Sequence, residues 1–360
     1  MHRVEGVLKE YAWGKQDGLV PWHPATGGPQ AELWFGTHDG GPARLLDEPD
    51  RTLADIVDTA GLEDLPLVKL LAAGHPLSIQ VHPDERCAAA GFAAQVGDPT
   101  LPVLYSDAAE KSEVVIALTD FATHAGWRDR RRAAQVLIEA GLPDALADTV
   151  AGTDRVAAMR SLLELDETTR LQMLEGIIPA AIDAHWRPDE IGALDRVATA
   201  FPGDPGVLVT VLLAHHRLAP GQALAVPAGV VHSYIEGLAV EVMTSSDNVL
   251  RLGLTPKTIA IDEALAAIRL DREPLLLDAS KVIDPPGMPF TIEFIDADAS
   301  LVAASGTARI VVALDDDALV DGVEVAEGTA GVISPTESAA VISSVGRAVV
   351  VSARADQLPG

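Results

Sequence analysis

Ser78, Gln80 and His82 stand two apart in Leu-Ser-Ile-Gln-Val-His-Pro-Asp at 77–84. On a β-strand they share one face, and Leu77, Ile79 and Val81 share the other. Gln80 and His82 then bring an amide oxygen and an imidazole nitrogen to one point, which is half of a zinc-type shell. Glu113 opens the β-branched run Val114–Leu118 and can reach the same interior. His232 lies three residues past Gly229, where a new strand begins after the turn Pro227-Ala228-Gly229. Gln80, His82, Glu113 and His232 supply two nitrogens and two oxygens, a set that suits Zn²⁺. The plain alternative is a half-buried strand with two satisfied polar residues; the metal reading requires three separate strands to converge.

A jelly-roll barrel of the cupin type makes strands converge in this way. The run Pro220-Gly221-x5-Pro227-x-Gly229-x2-His232 matches the second cupin motif. Lys69 interrupts the apolar run 65–71, and a lone buried lysine is costly unless it faces a polar interior. Glu241 to Arg251 mixes polar and charged residues with apolar ones.

The elements around these residues fall into blocks. Residues 1–46 read as strands and turns, with Trp13 and Trp34 as core anchors. Thr52 and Gly61 bracket a short helix, and an Ala-rich helix begins at Asp84. From Trp127 to about Ala200 the spacing of Leu, Ile, Val and Ala turns helical over 130–140, 157–165, 168–184 and 188–200, with Asp166 and Asp189 at helix starts. Arg130-Arg131-Arg132 reads as a solvated face. Strand character is expected again over Val207–Ala214, and a short helix over 259–268. Short strands follow at 290–295, 308–314, 330–333, 339–343 and 347–353, a second β-domain without histidine.

Composition narrows the function classes. The chain has 360 residues, 48% of hydrophobic type, enough for two or three domains. Its formal net charge of −27 makes nucleic acid and anionic membranes poor partners. No run approaches membrane-spanning length, and Met1-His2-Arg3-Val4-Glu5 has no signal-peptide character. The single cysteine, Cys87, excludes an internal disulfide and a cysteine-based zinc site, which fits a cytoplasmic setting.

The chain resembles the type I mannose-6-phosphate isomerases. The matching segments are Tyr-Ala-Trp-Gly at 11–14, Ala-Glu-Leu-Trp-Phe-Gly-Thr-His at 31–38, Pro-Leu-Ser-Ile-Gln-Val-His-Pro-Asp at 76–84, Glu-Lys-Ser-Glu at 110–113, Val-Pro-Ala-Gly-Val-Val-His-Ser-Tyr at 226–234 and Ser-Asp-Asn-Val-Leu-Arg-Leu-Gly-Leu-Thr-Pro-Lys at 246–257. The resemblance implies a mainly β fold with an α insertion: two cupin-type jelly-roll barrels plus a helical domain. The expected divisions are a catalytic cupin over 1–127 with 205–264, a helical insertion over 128–204 and a C-terminal β-domain over 265–360. It implies interconversion of mannose 6-phosphate and fructose 6-phosphate, one zinc per subunit, a hexose 6-phosphate as the partner, and a monomer or weak homo-oligomer. The family's metal ligands fall on Gln80, His82, Glu113 and His232, and its catalytic arginine on Arg251. Lys69, Ser78 and Lys257 fall on phosphate-associated positions, and Glu241 and Tyr234 join the substrate-binding set.

Aldose–ketose isomerisation moves a proton between C1 and C2 through a cis-enediol. The base for that proton stays open among Lys111, Asp247, Glu241 and a zinc-bound water. One departure stands out. The family often carries His-Lys-Pro-Glu where this chain has Glu110-Lys111-Ser112-Glu113.

Overall fold

The computed structural model describes residues 1–278 and 282–354. Its centre is the strand His232–Met243, which serves two sheet surfaces. The first half pairs with Phe121–Trp127 and Ile79–Val81, and the second half with Leu67–Ala73 and Glu113–Ala117. The corner between them is Gly237, at φ +129, where a Cβ would lie 2.7 Å from the Asp120 carbonyl oxygen. Only glycine fits a bend of that kind. Ala223–Val226 and Glu32–Phe35 extend the sheet, and Leu250–Gly253 joins it through Ile79–Val81.

Strict alternation along these strands sorts their side chains into two layers. Val68, Leu70, Ala72, Val114, Ile116, Val240 and Val242 point outward into a core shared with Phe290, Ile310, Val332 and Val351. Leu71, Ala73, Val115, Leu224, Tyr234 and Ala239 point inward. Lys69, Glu113 and Glu241 therefore line the barrel's interior by register, each being buried and two residues from an inward apolar neighbour. Ile79, Val81, Leu250 and Leu252 pack against the helical core, so the opposite face of those two strands is left to Gln80 and Arg251. The expected two-faced strand at 77–82 is present in this form, ordered over Ile79–Val81.

The helical block contains Arg130–Glu139, Asp144–Ala151, Arg155–Leu163, Glu167–Asp183 and Pro188–Ala200. Asp129, Asp154 and Asp166 cap three of them by accepting backbone N–H groups. Asp189 lies one residue inside its helix rather than at the cap. The stretch expected as a strand from Val207 instead forms the helix Gly206–Thr210, followed by the strand Leu213–Leu218. Every residue of that helix is buried, and a continuous apolar run carries no periodicity to separate helix from strand.

The C-terminal part is a sandwich of a seven-stranded and a four-stranded sheet around Val311, Val320, Ile342 and Val350. Its strands include 299–303, 318–320 and 323–325, which lay outside the expected set. Pairing crosses the expected divisions at two places. His2–Glu5 joins the C-terminal sheet beside Thr329–Ile333. Leu275–Leu277 joins the first barrel beside Ala223–Val226. Among the described residues no helix is long and apolar enough to cross a membrane.

Candidate metal centre and active site

Glu113, His82 and His232 meet inside the first barrel. His82 Nε2 lies 3.1 Å from Glu113 Oε2, and His232 Nε2 lies 3.1 Å from Glu113 Oε1. The two imidazole centroids are 4.8 Å apart. All three side chains are about 1% exposed. Three elements set this geometry. His82 follows the strand Ile79–Val81, Glu113 starts its own strand, and His232 starts the long central one. The turn before His232 is locked onto His82: the Gly229 N–H donates to the His82 carbonyl at 2.7 Å. Gly229 sits at φ +87, and a Cβ there would meet Arg269 Cγ at 2.4 Å.

Both ring Nδ1 atoms are taken. His82 Nδ1 bonds the Asn248 carbonyl at 2.8 Å and His232 Nδ1 bonds the Val230 carbonyl at 3.1 Å. Each Nδ1 therefore carries a proton, which leaves each Nε2 as the ring nitrogen that faces Glu113. Burial, reinforced by the Lys111 cation, pushes His82 down to about 3, so its imidazole is neutral. Burial alone raises Glu113, but the nearby Lys111 ammonium outweighs it and holds the carboxyl well below the usual range. His82 Nε2 and Glu113 Oε2 are buried without a hydrogen-bond partner among the described residues. Such orphaned atoms are costly unless something completes them. Two imidazole nitrogens and a carboxylate, all pre-oriented, are the donor set for a Zn²⁺ ion.

The first 130 residues match the family model "Phosphomannose isomerase type I, catalytic domain". The mannose-6-phosphate isomerase of Salmonella typhimurium is 32% identical over 303 residues, covering 76% of either chain. The chain belongs to the type I phosphomannose isomerase family. The bovine mannose-6-phosphate isomerase is 30% identical over 395 residues, covering 93% of this chain and 89% of its own. A mutant phosphomannose isomerase from Salmonella typhimurium superposes with a TM-score of 0.85 at 27% identity, over 98% of this chain and 99% of that one. A zinc-bound holo form of mannose 6-phosphate isomerase superposes at 0.83, with 26% identity and the same coverage.

Gln80, the fourth ligand suggested by the resemblance to phosphomannose isomerases, pairs backbone to backbone with His232 on one side and Arg251 on the other. Residues opposite each other on neighbouring strands share a face. His232, Gln80 and Arg251 thus form a row across three strands. The Gln80 amide nitrogen donates to Ser78 Oγ at 3.2 Å, which leaves its oxygen as the free donor atom. Tyr234 donates to Glu113 Oε1 at 2.6 Å, so it supports a ligand as well as bordering the site. Lys111 Nζ stands 3.4 Å from Glu113 Oε2. Ser112 Oγ accepts the Ala228 N–H at 3.0 Å and so pins the 227–229 turn. Glu110 accepts from Thr244 through its carbonyl, and among the described residues no hydrogen bond or ion pair ties its carboxylate to the metal ligands.

Lys69 occupies the adjoining floor, 3.3 Å from Glu241 Oε2 and 3.9 Å from Glu32 Oε1. Its ammonium lies 4.4 Å from the centre of the Trp34 ring, and Trp34 Nε1 donates to Glu32 at 2.7 Å. Burial works against the Lys69 charge, but Glu32 and Glu241 more than restore it. Burial lifts Glu241 to about 7 in spite of Lys69. Sequence reasoning placed Trp34 in the core, where it is, but passed over Glu32; its signal was an acid two residues before a buried indole. Lys69→Met leaves Glu32 and Glu241 buried without a counter-ion and is expected to cost about 3–5 kcal/mol, read as a lower urea midpoint at unchanged slope. An unmoved midpoint would mean that solvent, not Lys69, stabilises the two carboxylates.

The phosphate-associated residues divide. Arg251 and Lys257 line a pocket of about 150 Å³ with Val103, Leu104, Thr258 and Ala260. Lys69 and Ser78 do not line it. Among the described residues neither Arg251 nor Lys257 makes an ion pair, and the Lys257 ammonium lies 5.3 Å from the Tyr11 ring centre. Asp247 is largely buried between these groups. Burial alone would raise it, but Lys69 and Lys111 lower it further, so it stays ionised.

Proposed function

We propose that this chain interconverts mannose 6-phosphate and fructose 6-phosphate, with Gln80, His82, Glu113 and His232 holding a zinc ion. The observation that carries the reading is the buried His82–Glu113–His232 cluster with its unpartnered donor atoms in a chain of this family. Held there, zinc would supply Lewis-acid chemistry for the sugar oxygens.

The protein's own groups divide the remaining work. Lys257 supplies an unpaired cation for the phosphate end in the pocket it shares with Arg251. Arg251 lies between that pocket and the metal row. Its charge is placed for the oxygens that become negative as the enediol forms. Burial lowers Arg251 from the ordinary guanidine value, with Asp247 opposing, and the group remains charged across the neutral range. Four carboxylates, Glu32, Glu113, Glu241 and Asp247, are balanced by Lys69, Lys111, Arg251 and Lys257. A substrate dianion and a divalent cation therefore enter together without net charge, in a chain that is otherwise strongly acidic.

Glu241 is the group we assign to the carbon-bound proton: it is buried on the barrel's inner face, 3.3 Å from Lys69 Nζ, and burial raises it toward the operating pH. Such a base acts unprotonated. With mannose 6-phosphate, kcat/KM is expected to rise with pH along an acid limb, and Glu241→Gln is expected to abolish that limb and lower kcat by about 10²–10⁴-fold. Retention of both rate and limb in the variant would move the base to Lys111 or Asp247.

A further inference from the structure

Two loops and one metal ligand are tied together by a buried group that takes no part in the chemistry above. Asn248 is fully buried. Its side-chain nitrogen donates to the carbonyls of Asp107 and Ala109 at 3.0 and 2.8 Å and to Asp107 Oδ1 at 3.0 Å. Its side-chain oxygen accepts the Ser106 N–H at 2.8 Å. Its own carbonyl takes the His82 ring Nδ1 at 2.8 Å. Ser246, also fully buried, donates to Asp107 Oδ1 at 2.9 Å, and the Asp247 N–H bonds Asp107 Oδ2 at 3.2 Å.

We infer that Asn248, with Ser246 and Asp107, is a positioning clasp for the metal centre. Its side chain holds the 106–109 segment, which leads directly into Lys111 and Glu113. Its backbone fixes which nitrogen of His82 is protonated and where the ring points. One residue thereby sets the spacing between His82 and Glu113, the two ligands whose facing atoms are 3.1 Å apart. The chemistry requires an amide. Asn248 serves as donor to three oxygens and as acceptor for an N–H at once. Aspartate has the same shape but no donor, and it would set a second carboxylate against Asp107. Ligand-orienting groups of this kind typically alter metal affinity by about 10–100-fold when removed.

The inference rests on the zinc-site reading, and the test separates the two. Zinc affinity is measured by competition with a chromophoric chelator on apo wild type, Asn248→Ala, Asn248→Asp and Ser246→Ala, well below each melting temperature. Cobalt(II) spectra of the same proteins report ligand geometry. Wild type is expected to bind one zinc. Asn248→Ala and Asn248→Asp are expected to weaken binding by about 10–100-fold and to alter the cobalt spectrum. Ser246→Ala loses only a hydroxyl and serves where the Asn248 variants fail to fold; its affinity is expected to fall by a smaller factor in the same direction. Variants that melt lower yet bind zinc as wild type does, with its cobalt spectrum, would overturn the clasp and leave the metal site standing. A wild type that binds neither metal would overturn the site itself.

Discussion

Glu113→Gln is expected to strip the enzyme of its metal and of its activity together. Glu113 is the only carboxylate of the cluster, and both of its oxygens face an imidazole Nε2 at 3.1 Å. Glutamine keeps the shape but removes the charge and turns one oxygen into a donor. Turned toward an imidazole, that NH2 takes up the Nε2 lone pair a metal needs; turned toward the metal's place, it offers a cation no lone pair. It also leaves Lys111 buried beside a neutral group. Bound zinc after dialysis is expected to fall from one per chain to a small fraction, and kcat with mannose 6-phosphate by at least about 10³-fold. Metal content and turnover measured on the same preparation check this. A variant that keeps stoichiometric zinc with wild-type kcat would remove Glu113 from the ligand set.

Arg251→Ala is the second large effect, and it acts differently. Arg251 shares its row with Gln80 and His232 and its pocket with Lys257. Its guanidinium serves mainly the charge that develops on the reacting oxygens. Its loss should therefore lower kcat by about 10²–10³-fold, the range seen when one pre-placed electrostatic stabiliser is removed, while KM changes little. Zinc content should stay at the wild-type level, because Arg251 meets Gln80 only through the backbone and its guanidinium bonds the Val249 carbonyl at 3.3 Å. Steady-state kinetics separate the two roles. A rise in KM at constant kcat would confine Arg251 to holding the phosphate.

How far these sites could be read from sequence depends on how local their causes are. Strand alternation is local, so the shared face of Ser78, Gln80 and His82 and the inward start at Glu113 were legible. The glycine turn before His232 was legible for the same reason. Pairing partners are not local. Nothing in His2–Glu5 names Thr329–Ile333 as its neighbour, and the expected division between 1–127 with 205–264 and 265–360 separated strands that the sheets unite. The helix Gly206–Thr210 was hidden because it is buried on every side. Lys69 was rightly placed on an interior face, but its partners Glu32 and Glu241 come from two other strands and change what it does. Asn248 drew no reading from the sequence because its partners Ser106, Asp107 and Ala109 lie about 140 residues away along the chain.

Turnover of mannose 6-phosphate to fructose 6-phosphate by one purified preparation is the most direct test, assayed as isolated, after exhaustive chelation, and after one equivalent of Zn²⁺ is returned. The predicted result is activity that disappears on chelation and returns with zinc, with the chelated protein still folded by circular dichroism. Full activity after complete metal removal, or no turnover from a folded protein carrying its zinc, would contradict it.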